Sequence, residues 1–113
     1  MKHIKFLLII LSLIFQNNNA QCVDEKFGCD TITTNNNLSN YTENYKQRAT
    51  NSSWYVDAYG PWKWLFLNAP KRTKNLYIHG PKILKGLIDK EEDEVRKKSL
   101  IDTLLLVYDY RND

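Results

Sequence analysis

WYVDAYGPWKWLFLNAPKRTKNLYIHGPKILKGLI occupies residues 54 to 88, and the intervals between its apolar side chains set the architecture. Trp54, Ala58, Trp62 and Leu65 recur at four, four and three; Leu76, Gly80, Ile83 and Leu87 recur at four, three and four. Those intervals put each set on one face of an α-helix. Asn68-Ala69-Pro70 ends the first helix, because proline offers no backbone donor, and Thr73 stands where it can cap the second. The stretch predicts two helices joined by a short turn, with Ala58 and Gly80 placed where their backbones approach.

Outward from this hairpin, the same periodicity predicts a helix on each side. Leu38, Tyr41, Tyr45 and Ala49 form an apolar stripe before it, and Asn51-Ser52-Ser53 then breaks the chain and offers caps. Leu100, Ile101, Leu104, Leu105 and Tyr108 form a heptad-like stripe after it. Four helices are expected, at about 37–49, 53–67, 73–89 and 94–110. Gly60-Pro61 and Gly80-Pro81 fall inside two of them and predict kinks, the first near Asp57, with a break into shorter helices as the alternative. The charged run between Lys90 and Lys98 reads as a solvated loop or helix face.

Residues 1–20 read as a signal peptide: Lys2, His3 and Lys5 precede an apolar run from Phe6 to Phe15, with cleavage near Ala20. That run is too short for a dependable membrane span, and no later segment is apolar enough for one. The expected localisation is therefore export. Residues 21–36 contain few apolar side chains and read as a linker or N-terminal arm, leaving 37–113 as one domain. The chain carries 16 Lys+Arg and 13 Asp+Glu. Lys2 and Lys5 lie in the leader, so 14 basic residues remain against 13 acidic, a net charge of +1 that argues against nucleic acid as a partner. Export permits a disulfide between Cys22 and Cys29; lipid attachment at Cys22 is the alternative, although Asn19-Ala20-Gln21 is a poor context for it. Asn37, Asn40 and Asn51 each open an N-glycosylation sequon, relevant only in a eukaryotic host.

No catalytic constellation emerges. His79 is the one histidine after the leader and sits beside an apolar face, which reads as packing. Neither cysteine has a histidine near it in sequence, the acidic run from Glu91 to Glu94 lacks the spacing of a calcium loop, and no Gly-rich phosphate loop occurs. Neither cofactor nor metal is expected. Trp54, Tyr55, Tyr59, Trp62, Trp64, Phe66 and Tyr77 crowd one region. Trp54, Trp62 and Phe66 fit the buried face, whereas Tyr59 and Trp64 point elsewhere on a straight helix, either against a neighbouring helix or as a partner surface for protein or sugar.

The hairpin also resembles the tetratricopeptide repeat, whose pattern is W-x2-L-G-x2-Y, then A-x3-F, then P. Ala58-x3-Trp62 gives A-x3-aromatic, Pro70 follows, and Leu76, His79, Gly80 and Ile83 match the next opening, with His79 and Ile83 replacing Leu and Tyr. Leu65 completes the buried face. Residues 38 to 111 resemble the N-terminal part of exported tetratricopeptide-repeat proteins of Bacteroidetes bacteria. The shared features are the YVDAYGPW helix, the Pro-ended turn, Asn75-x-Tyr77-x2-Gly80, and the ending Tyr108-Asp109-x-Arg111. The resemblance implies an all-α fold of TPR-like antiparallel helix pairs, truncated at its C-terminus, that acts as a non-enzymatic scaffold for a protein partner. A small secreted carbohydrate- or surface-binding module using exposed aromatic residues is the competing expectation.

Overall fold

The computed structural model describes residues 22–112, so the expected leader and its cleavage near Ala20 lie outside the described residues. Four helices follow one another: α1 Thr31–Lys46, α2 Trp54–Asn68, α3 Asn75–Lys90 and α4 Glu94–Asn112. The fold is all-α, and no strand occurs among the described residues. α1 pairs with α2 and α3 with α4, and the α2–α3 seam joins the two pairs. None of the described helices is long and apolar enough to cross a membrane.

The seam is built around Trp62, which has no exposed surface. Its indole Nε1 donates to the carbonyl of Leu76 at 2.9 Å, a buried hydrogen bond that fixes the ring against α3. The ring then lies against Gly80. A Cβ on Gly80 would stand 2.4 Å from Trp62 Cζ2, so only glycine admits the indole there. Gly86 repeats the device six residues later, where a Cβ would meet Tyr55 Cγ at 2.7 Å. Ala58, Leu65, Leu76 and Ile83 are all fully buried in the same core. Ala58 and Gly80 thus both mark close packing, but the group that presses on Gly80 is the indole of Trp62.

Both prolines sit inside unbroken helices: α2 runs through Pro61 and α3 through Pro81. The break into shorter helices does not occur, because packing against neighbours holds each helix together where one backbone donor is missing. Ala69, fully buried, and Pro70 end α2 as expected. α3 begins at Asn75 with Lys74 in the cap position, one residue after the expected Thr73, and without a side-chain cap; Thr73 Oγ1 accepts from the Asn75 amide at 3.3 Å and its carbonyl from Leu76 at 3.3 Å. The charged run divides three ways: it closes α3, forms the connection 91–93 and opens α4, where the Asp93 carboxylate accepts from the Arg96 amide at 3.1 Å.

Two expectations are corrected. α1 begins at Thr31 instead of 37 and ends at Lys46, so the expected arm is helical over 31–36 and Ala49 lies exposed in the following turn. The start is set by Asp30, whose carboxylate accepts from the Thr33 amide at 3.1 Å and the Thr33 hydroxyl at 2.7 Å. These bonds hold the Asp30 carboxyl below the usual carboxylate range. Before it, residues 22–29 are closed by the Cys22–Cys29 disulfide, with Cα atoms 5.7 Å apart. Gly28 (φ +74°) turns the chain, and its missing Cβ leaves room for Thr34. The second correction concerns α4. Leu100 and Val107 are buried and Leu104 and Tyr108 half-buried, but Ile101 (38%) and Leu105 (54%) are exposed. The helix turns the edge of its stripe to α3 and leaves the other edge outside.

Candidate functional site

Tyr59 and Trp64, expected off the core, are both half-buried and pack against it. Tyr59 stacks beside Trp62 with centroids 6.3 Å apart. Trp64 lies under the disulfide loop, where it lines a shallow pocket with Cys22, Cys29, Leu67 and Pro70. Trp54 is half-buried too, and Trp62 is fully buried, so none of the three tryptophans is among the exposed residues.

One open apolar surface lies at the C-terminal end of α2. Phe66 and Leu67 at the end of α2, Pro70 in the turn, Tyr77 on α3, and Leu106 and Tyr110 on α4 line a groove of about 780 Å³. Phe66 is nearly buried, and two tyrosines meet its edges and faces: Tyr77 at 6.2 Å and 71°, Tyr110 at 5.6 Å and 78°. Leu67, Leu106 and Tyr110 are exposed at 64%, 44% and 52%, so the walls stand open to solvent. Such a concave apolar surface with a few polar groups at its rim is the ordinary form of a binding site.

The rim is polar and mostly basic. Lys71 pairs with Glu25 at 2.8 Å, and its amide donates to the Glu25 carbonyl at 2.7 Å, tying the N-terminal arm to the α2–α3 turn. The Glu25 carboxylate also raises the Lys71 pKa. Lys74 is exposed on the same rim and takes part in no ion pair among the described residues. The Tyr77 hydroxyl donates to the Pro70 carbonyl, and burial raises its pKa, helped by Tyr110 and Glu25. Tyr77 is thus a neutral phenol at physiological pH. The groove therefore offers apolar contact, aromatic edges and an ammonium group, with no nucleophile and base in hydrogen-bonding reach of each other.

His79 stands apart from this groove and links α1 to α3. Its Nδ1 is 2.9 Å from the Tyr41 hydroxyl, and its ring stacks on Tyr45 at 3.6 Å. Arg48 covers Tyr45 at 3.7 Å, and Trp54 meets Tyr45 edge-on at 5.3 Å. Burial, followed by the cations Arg48 and Lys82, lowers the His79 pKa below its ordinary value. Burial pushes Tyr41 up to about 12, so the phenol keeps its proton at physiological pH and stays a neutral partner of His79. This cluster is a packed clamp, in line with the structural reading of His79. No group of three or more His, Cys, Asp or Glu able to hold a metal occurs among the described residues.

Ala58, Trp62, Leu65, Leu76, Gly80 and Ile83 come together in the core, and Pro70 joins the groove. Sequence reading missed Leu67, Leu106 and Tyr110 because each lies off the stripe that organises its helix. Their exposure is a property of how three helix ends converge. Comparison with protein-family models, with curated proteins and with solved structures gives no match.

Proposed function

We propose that the chain is an exported, non-enzymatic helical module that binds a segment of another protein in the groove between the ends of α2, α3 and α4. The observation that carries this reading is the groove itself: Leu67, Leu106 and Tyr110 are held open around Phe66 when burying them would stabilise the isolated chain. An apolar anchor of the partner fills the groove, and Lys74 favours a partner with a carboxylate beside that anchor. The TPR-like spacing of Ala58, Trp62, Pro70 and Gly80 supports the same class of function, as does the hydrophobic leader. The carbohydrate reading has less support, since Trp62 is buried and Trp54 and Trp64 are half-buried.

The test is selection of peptides from a random display library on the parent chain, with Leu106→Glu as the counter-target. Enriched peptides that bind the parent at least tenfold tighter than Leu106→Glu are expected. Peptides that do not distinguish the two proteins would remove the groove as the binding site.

A further inference from the structure

The exposed edge of α4 is a different surface from the groove. At 100° per residue, Leu106 and Tyr110 lie on one flank of α4, whereas Ile101, Leu105 and Tyr108 lie on the other. With Lys98 they recur at three, four and three, the spacing of a two-helix seam. Ile101 and Leu105 are exposed, Tyr108 is half-buried beside α3, and no described element covers them. Lys98 and Asp109 flank this seam at opposite ends, both exposed and without an ion pair among the described residues.

The charges select one geometry. A parallel pair would set Lys98 on Lys98 and Asp109 on Asp109. An antiparallel pair places its two-fold axis midway between Ile101 and Leu105, at position 103. The midpoint of Lys98 and Asp109 falls half a residue away, less than about 1 Å along the helix. One axis therefore brings Ile101 against Leu105 of the other copy and Lys98 against Asp109, twice over, as an isologous contact requires. We infer that the exposed edge of α4 is the site where two copies of this chain pair, antiparallel, about an axis near Thr103. The pairing goes beyond the groove reading and does not depend on it, because it uses the opposite flank of α4.

One residue opposes the contact. Asp102 lies on the solvent side of the seam, next to the axis, and meets Asp102 of the other copy. Two attractive pairs face one repulsive pair, so association is weak and salt-sensitive.

The experiment is sedimentation velocity of the full chain over a range of concentrations. A concentration-dependent dimer is expected. Leu105→Asp should abolish it, and Lys98→Glu alone should weaken it roughly tenfold, since both pairs turn repulsive. Lys98→Glu combined with Asp109→Lys restores both pairs and should return the parent affinity, while Asp102→Asn should tighten association. A chain that stays monomeric throughout, or an association indifferent to these variants, overturns the proposal. Failure of the double reversal to recover what Lys98→Glu loses overturns the antiparallel axis.

Discussion

The α2–α3 seam and α4 contain comparable runs of apolar residues and use them in opposite ways. In the seam, two large side chains are matched to glycines: the indole of Trp62 to Gly80, the ring of Tyr55 to Gly86. Those matches leave little freedom, because an added methylene has nowhere to go. On α4, Leu100 and Val107 are buried, while Val95, Ile101, Leu105, Leu106 and Tyr110 stay exposed. The difference shows that hydrophobic content alone does not mark a core. Small residues opposite large ones mark the seam, and α4 has no glycine or alanine.

The comparison breaks most sharply at Trp62. Trp62→Ala removes the largest fully buried side chain and its bond to the Leu76 carbonyl. It should cost about 3–5 kcal/mol in urea unfolding, and a loss below 1 kcal/mol would show that the seam is loosely packed. Gly80→Ala comes next. Helix propensity alone would favour it by up to about 1 kcal/mol on an exposed face. The collision with Trp62 should reverse that sign and give a net loss of about 1–3 kcal/mol. A raised unfolding midpoint would contradict the close approach.

A smaller effect is expected from pH. His79 has a folded pKa below its ordinary 6.5. The unfolded chain therefore binds the proton more readily, and the stability His79 contributes is complete above that ordinary value. It is lost as pH falls from there through the lowered folded pKa. The urea midpoint should decline between about pH 7 and pH 5 in the parent, and His79→Gln should flatten that decline. Equal slopes would show that the clamp does not couple to folding. Least of all, Leu105→Ser in dilute protein should change stability by no more than about 0.5 kcal/mol, the range of surface substitutions. A loss of 2 kcal/mol would place Leu105 in a core.

The helices were largely legible in the sequence. α2, α3 and the start of α4 fall within a residue or two of their expected limits, because their apolar spacing and the stop at Pro70 are local signals. The beginning of α1 was not legible by periodicity, since Thr31-Ile32-Thr33-Thr34 lacks an apolar stripe. Its helix depends on the Asp30 cap and on Thr34, buried against Gly28 with its hydroxyl donating to the Asp30 carbonyl at 2.8 Å. The signal that could have found it was Asp30 itself, a favoured cap residue. The groove was not legible at all. It arises where the ends of three helices meet, and Leu67, Leu106 and Tyr110 gain their meaning only from that arrangement. With two cysteines, the sequence offered Cys22–Cys29 as a possible disulfide beside lipid attachment at Cys22, but neither the choice between them nor the position of the loop over Trp64 was legible.

Close glycine contacts lock α2 to α3, whereas α4 joins the shared core by one edge only, through Leu100, Leu104 and Val107. Native-state hydrogen exchange of the dilute protein tests this most directly. Amides of α2 and α3 should open only with global unfolding, whereas those in the second half of α4 should exchange at lower opening free energies. Protection of α4 equal to that of α2 and α3 would contradict the account, because it would place all four helices in one cooperative core.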